Sequence, residues 1–434
     1  MNIKIEERKQ DMNIKVEDQE LNERVRLNYQ RLCEPYYRIE QVFQGKDASW
    51  PGDKEGRALL AFVSHYKISG KKIECMEQMM NLLPQMTNEG GYFGPKYEGG
   101  RLFEQQLSGH SWYLRGLCEY YECFHKEEVL DILKRVFRTL YLPTAGRFAS
   151  YPLERDKGWG DVSGTSCETQ DGWLLSTDIG CAFMSIDGLS HYYSLTKSPE
   201  ARALTDEMID VFCGIDKEAL GAQTHCTLTA ARGMVRMYDA TGERRYLDEA
   251  EKIFRLYTQR GMTLTYQNFN WFGREDSWTE PCAIVDSFML AHMLDKRCGD
   301  TFYHDMAVKI YHNGWRTIQR PNGGAGPDTT VCTGRPVLKQ HMYEAQFCCT
   351  MRLAEGLWYL SQCYQEITAK TSGAVIKDEY GRYMDGDLVY SQTKGICRAP
   401  EQSVMVDGLQ LAPLVHTYRL SDDEMNALEQ QILF

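Results

Sequence analysis

From Leu21 onward the chain alternates two kinds of helical pattern. One is apolar on most faces, with small residues set among large ones, as from Leu220-Gly221-Ala222 through Arg232-Gly233-Met234. The other is charged along one side, as at Arg244, Asp248, Glu249 and Lys252. A helix apolar nearly all round belongs inside a fold, and a one-sided helix belongs outside. The periodicity predicts about twelve helices, over 21–44, 54–68, 71–87, 105–123, 126–140, 176–195, 198–213, 224–240, 243–259, 280–296, 300–317 and 343–364. Short turns recur between the members of each pair: Ser69-Gly70-Lys71, Phe124-His125-Lys126, Thr196-Lys197-Ser198-Pro199, Thr241-Gly242-Glu243 and Cys298-Gly299-Asp300. Their spacing of about 45 to 70 residues marks a repeated two-helix unit.

Inner and outer helices in equal number, closing on themselves, make an all-α fold, an (α/α)6 toroid; an open solenoid or a bundle is the other arrangement of the same parts. The toroid is expected over residues 21–366, after a polar tail at 1–20. Residues 367–434 read as a small extension of partly β character, with strands around Gly373–Lys377 and Asp387–Tyr390 and a last helix near Ser421–Gln431. The connections 88–104, 141–175, 260–279 and 318–342 are long and lead into inner helices, so a toroid gathers them on one rim. Loops of that length in a compact domain are usually functional or disordered. The glycine runs within them lack the Lys-Ser/Thr of a phosphate loop.

A net charge of −12 argues against a nucleic-acid partner. No apolar stretch approaches the ~20 residues of a membrane span, and Met1–Glu20 has no signal-peptide core. The odd cysteine count of 15 fits thiols that are free or metal-bound rather than paired, and hence a cytoplasmic setting. The oligomeric state is not legible.

Two stretches then stand out. Trp278-Thr279-Glu280-Pro281-Cys282 and Glu344-Ala345-Gln346-Phe347-Cys348-Cys349 each open an inner helix, and those helices are successive in the ring. Glu280, Cys282, Cys348 and Cys349 together offer one carboxylate and three thiols, a set suited to tetrahedral Zn2+. At the same level of the other inner helices lie Asp53, His110, Asp178 and His225, so the polar residues of the ring are expected to converge on one pocket.

Glu280-Pro281-Cys282 and Cys348-Cys349 resemble the Glu-x-Cys and Cys-Cys motifs of glycoside hydrolase family 127, the β-L-arabinofuranosidases. Gly221-Ala222-Gln223-Thr224-His225 and the stretch Asp239–Tyr246 also resemble that family. The resemblance implies an (α/α)6 barrel, a zinc ion held by Glu280, Cys282, Cys348 and Cys349, and Cys348 as nucleophile of a retaining glycosidase acting on a small oligosaccharide or glycoside. Asp53, His110, Asp178, His225 and Asn270 would bind sugar hydroxyls. The chain departs from the family in two places. Thr350-Met351-Arg352 follows the cysteine pair in place of prolines and an asparagine. Asn270 stands nearest the position of the family's acid/base glutamate, and Glu275 is the only glutamate of the 260–279 loop, hence the expected proton donor. The large β-domains that follow the barrel in that family have no counterpart in this sequence. Two other readings remain open: a different zinc–thiolate enzyme on an α-toroid, and a non-catalytic carbohydrate-binding or scaffold protein with a structural zinc.

Overall fold

A computed structural model describes residues 18–43, 50–96, 100–155, 163–263, 265–330 and 341–368, together with four short strands between 376 and 411. The helices follow the two predicted kinds. Those apolar on most faces are α3 (Asp53–Ser69), α5 (Glu104–Phe124), α7 (Ser185–Thr196), α10 (Thr224–Thr241), α12 (Pro281–Cys298) and α14 (Met351–Thr368). Each packs on the next in that order, and α14 packs back on α3, which closes the ring. The outer layer is α1 (Gln19–Leu32), α4 (Glu74–Met86), α6 (Glu127–Val136), α8 (Pro199–Gly214), α11 (Arg244–Arg260) and α13 (Thr301–Lys309), with α2 (Ile39–Val42) and α9 (Lys217–Leu220) as single turns. The first helix is the outer partner of the last, since α1 lies on α14 and α3. This is the (α/α)6 toroid.

The repeated turns work as stop signals. Gly70, Gly242 and Gly299 end α3, α10 and α12 in the left-handed conformation, and His125 and Lys197 do so for α5 and α7. Small residues let inner helices touch: a Cβ on Gly56 would sit 2.2 Å from the backbone nitrogen of Tyr113, and one on Gly233 2.7 Å from that of Asp187.

Several boundaries differ from the expectation. The predicted helix 21–44 breaks after Leu32, because Pro35 has no N–H to donate and holds Glu34 extended. The predicted helix 176–195 begins as a 3-10 turn at Cys181, after a small sheet in the rim loops. There β1 (Leu102–Phe103) runs parallel to β3 (Trp173–Ser176), and β2 (Ser166–Gln170) runs antiparallel to it. The last inner helix opens with a π turn over Gln346–Thr350. In the C-terminal stretch β4 (Ile376–Lys377) pairs with β5 (Tyr383–Met384), and β6 (Val404–Val406) with β7 (Leu409–Leu411), both antiparallel. The predicted polar tail up to residue 17, the strand at 387–390 and the helix at 421–431 lie outside the described residues.

The centre of the ring is charged. Glu355 on α14 accepts from Arg115 of α5 at 2.7 Å and from Arg232 of α10 at 3.0 Å, and also pairs with Arg352. Asp286 on α12 takes Arg232 at 2.7 Å and Arg352, while Asp187 on α7 takes Arg115 at 3.1 Å and Arg236 at 3.2 Å. These arginines and carboxylates come from five of the six inner helices, and Arg115, Arg232, Arg352 and all three acids are buried. Burial raises the Glu355 carboxyl, but the three arginines win and hold it well below the usual range; the same balance brings Asp286 to about 2.

Removing one member of such a layer strands the others. Glu355→Gln should lower unfolding free energy by about 3–5 kcal/mol, whereas Arg244→Gln, which breaks an exposed pair with Asp248, should cost under ~1 kcal/mol. Chemical denaturation of both variants checks the contrast. Because the Asp286 carboxyl titrates lower in the fold than the ordinary 3.8, its stabilisation is complete above pH ~4 and fades as pH falls through about 2.

Candidate metal centre and the cavity above it

The long loops lead to a cavity of about 640 Å³ at the N-terminal rim of the inner helices. Its lining includes Asp53, Asp178, His225, Asn270, Glu280, Cys348 and Cys349, with the aromatic rings of Trp50, Trp278, Tyr343 and Phe347. On one side of it the predicted donors meet. Cys282 Sγ lies 3.3 Å from Cys348 Sγ and 3.6 Å from Cys349 Sγ, and Cys348 Sγ lies 3.8 Å from Glu280 Oε1. A disulfide requires about 2.05 Å, so these sulfurs are not bonded to one another. Ligands at about 2.0–2.3 Å from one tetrahedral ion are separated by roughly 3.3–3.8 Å. The four donor atoms lie within 4.8 Å of one another and fit a single metal ion.

Local sequence explains the convergence. Pro281 takes the first helical position of α12, which leaves Glu280 extended ahead of it with Cys282 one residue inside. The π turn before α14 carries both Cys348 and Cys349 to the same point. Cys282 is fully buried and Cys349 2% exposed, while Cys348 is only half-buried. Hydrogen bonds from the Cys282 and Cys349 thiols push Cys348 well below the usual thiol range; burial opposes this, and Arg57 and His225 add to it. Burial and its neighbours raise Cys282 and Cys349. Of the three sulfurs, Cys348 is both the most open to the cavity and the first to ionise.

A supporting shell surrounds the donors. Arg57 donates to Cys282 Sγ at 3.6 Å and to both oxygens of Asp53 at 2.9 Å. His225 Nδ1 lies 3.1 Å from Glu280 Oε1 and its Nε2 3.5 Å from Asp286 Oδ2, so this histidine spans from the donor set to the charged layer. Its ring stacks on Trp112, at 5.8 Å and 20°. Gln223 Nε2 donates to Glu280 Oε2 at 3.4 Å. Asn270 is 1% exposed and lines the cavity; neither its amide oxygen nor its nitrogen finds a partner among the described residues. Buried polar atoms left so commonly await a ligand or water.

Two predicted residues are elsewhere. His110 is fully buried beneath the rim: Nδ1 donates to the Gln106 carbonyl at 2.7 Å and Nε2 accepts from the Phe93 N–H at 2.9 Å. Burial lowers it to about 4, so it stays neutral. It buttresses the turn at Gly52, where φ is +85° and a Cβ would meet the imidazole at 2.9 Å. Glu275 is exposed and absent from the cavity lining. Ser277 Oγ donates to the Arg274 carbonyl at 2.6 Å and accepts from the Asn270 N–H at 2.9 Å; this turn carries residues 274–276 outward and leaves Asn270 facing in.

No family model matches the chain, and no curated protein does either. Solved structures do, at low identity. A cellobiose 2-epimerase from Bacillus thermoamylovorans matches with a TM-score of 0.57 and 14% identity, over 79% of this chain and 98% of that one. A GH127 β-L-arabinofuranosidase from Geobacillus stearothermophilus matches with a TM-score of 0.54 and 14% identity, over 92% of this chain and 69% of the other. A GH76 α-mannanase from Bacteroides thetaiotaomicron matches at 0.52 and 10%, over 80% and 96%. The chain shares the (α/α)6 toroid with all three.

The donor geometry makes metal content the direct check. Purification without chelator should yield about one thiophilic divalent ion per chain, and Cys282→Ser or Cys349→Ser should lose most of it. Elemental analysis showing a metal-free wild type would remove the centre.

Proposed function

We propose that this protein is a retaining glycoside hydrolase of the family 127 type, acting on a furanoside such as a β-L-arabinofuranoside through the thiolate of Cys348. The observation that supports it is the clustering of Glu280, Cys282, Cys348 and Cys349 at the wall of a sugar-sized cavity. The toroid is shared by epimerases, mannanases and arabinofuranosidases, so the fold alone does not choose among them. The donor set supports the last of these readings: it is the feature that the two resembling motifs have in common with the arabinofuranosidase family.

Zinc fits the donors, and when bound it would keep their thiols ionised at neutral pH. Cys348 Sγ, the sulfur open to the cavity, attacks the anomeric carbon while the glycosidic C–O bond breaks and the leaving oxygen takes a proton from a carboxylic acid. Water then attacks the same carbon, the C–S bond breaks, and the sugar leaves with its original configuration. Trp50, Trp278, Tyr343 and Phe347 offer apolar faces to the sugar ring, and Asn270, Asp53 and His225 offer hydrogen bonds to its hydroxyls.

One observation favours a second reading. The amide Asn270 stands nearest the place of the family's acid while the loop's only glutamate, Glu275, is exposed, which suits a carbohydrate-binding protein that keeps its metal for structure.

A panel of aryl glycosides, including arabinofuranosides, separates the two. Proton NMR of the first product should show retained anomeric configuration, and Cys348→Ala should cost roughly 10³-fold or more in kcat/KM. An inverted product would exclude the thiolate nucleophile. Tight sugar binding with no turnover of any member would establish the binding protein.

A further inference from the structure

We propose that Asp178 is the acid that protonates the leaving oxygen and then the base that activates water. The assignment rests on the glycosidase reading above and departs from the loop position where the resembling family carries its acid.

Ring order carries the argument. Cys348 precedes α14, and Asp178 precedes α7, three inner helices away in a closed ring of six. The two residues therefore enter the cavity from opposite sides, as a nucleophile and a proton donor flanking one scissile bond must. The other acids of the cavity lie on the Cys348 side or are committed. Asp53 and Glu55 belong to α3, next to α14, and Asp53 is held by Arg57 through both oxygens. Glu280 is a metal donor on the lead-in to α12, the other neighbour of α14. Glu344 is tied to Arg31 at 2.9 and 3.0 Å. Among the described residues, Asp178 alone comes from the far wall.

Its surroundings suit a proton carrier. The residue is 6% exposed, and its carboxyl's hydrogen bonds from Ser163 Oγ at 2.7 Å and the Gly164 N–H at 3.3 Å both fall on Oδ1, which leaves Oδ2 to hold the proton. Among the described residues no cation pairs with it. Burial raises it to about 7, and the charges of Glu280 and Cys348 push the same way. A donor set of one carboxylate and three thiolates outweighs a divalent ion in charge, so the centre does not favour ionising its neighbour. The segment is also fixed against the site: the Ile179 carbonyl accepts from the Gln223 N–H at 2.9 Å, and Gln223 in turn donates to Glu280.

In the first step Asp178 Oδ2–H passes its proton to the glycosidic oxygen as the C–O bond breaks and the bond from Cys348 sulfur to the anomeric carbon forms. In the second, the Asp178 carboxylate takes a proton from water, the water oxygen bonds to the anomeric carbon, and the electrons of the C–S bond return to sulfur. Acid and thiolate are both restored.

The test compares Asp178→Asn with wild type on two arabinofuranosides, one with a nitrophenolate leaving group and one with an alkoxide. The alkoxide substrate should lose about 10²–10⁴-fold in kcat/KM and the nitrophenyl substrate under ~10-fold. With the nitrophenyl substrate the variant should accumulate a covalent sugar adduct on Cys348 by intact mass, and azide should release it as a glycosyl azide of retained configuration. Asp178→Glu should recover part of the alkoxide rate. Equal losses on both substrates with no azide product would overturn the role of Asp178 while leaving the glycosidase standing. A wild-type enzyme that cleaves neither substrate, nor any of the wider panel, would overturn both. Unchanged metal content and melting temperature in Asp178→Asn confirm that the comparison is between folded proteins.

Discussion

A single buried carboxylate, Glu355, receives guanidinium groups from Arg115, Arg232 and Arg352, and the rest of the ring is arranged around that contact. Six inner helices leave an axis that side chains must fill. Apolar residues would fill it with volume alone. Here paired charges fill it, and each guanidinium has a fixed fork geometry that accepts its carboxylate from one direction. Helices α5, α7, α10, α12 and α14 are thereby held in register, since a shifted helix would leave a buried charge unpaired. Replacing such a network by apolar residues of the same shape is often harmless to stability. Its value here lies in position more than in energy.

The position matters because the candidate metal donors are tied to this layer through His225. Asp286 belongs to it through Arg232 and Arg352, and the same carboxylate lies 3.5 Å from His225 Nε2, whose other nitrogen is 3.1 Å from the donor oxygen of Glu280. A carboxylate, a histidine and a metal ligand thus stand in line, the arrangement that orients ligands at metal centres generally. Arg57 does the equivalent on the opposite flank, between Cys282 and Asp53. Neither histidine nor arginine belongs to the four-donor cluster, yet both hold its members in place.

The twelve-helix pattern and the donor set were legible because each depends on local sequence. Helical period, left-handed stop residues and a proline at the start of α12 act within a few positions. The failures concern residues whose roles depend on distant partners. His110 sits at the right depth along α5 but on the face turned to Phe93 and Gly52, which periodicity does not resolve. Glu275 was judged by residue type, whereas the turn closed by Ser277 decides which way its loop faces. The charged layer carries a signal of its own in the sequence: Arg115, Arg232 and Arg352 each stand beside small or apolar residues partway along an inner helix. A buried charge at such a position requires an opposite charge within reach, and Asp187, Asp286 and Glu355 supply it.

The cavity also works against the fold that builds it. Burial raises Asp53 to about 6 and Glu55 and Asp178 to about 7. In the unfolded chain these acids ionise near pH 4, so between that pH and their folded values the unfolded state gains charge that the folded state withholds. Stability contributed by these groups therefore falls as pH rises through that window, the reverse of the behaviour of Asp286 and Glu355. Natural proteins tolerate such cost where a site needs a group in an uncomfortable protonation state. The two layers differ for that reason: the carboxylates deep in the ring are paired with arginines and stay ionised, whereas at the cavity Glu55 and Asp178 form no ion pair among the described residues, and Asp53, although paired with Arg57, is still raised by burial. How far arginines offset burial is what separates the ionised carboxylates of the deep layer from the raised ones at the cavity.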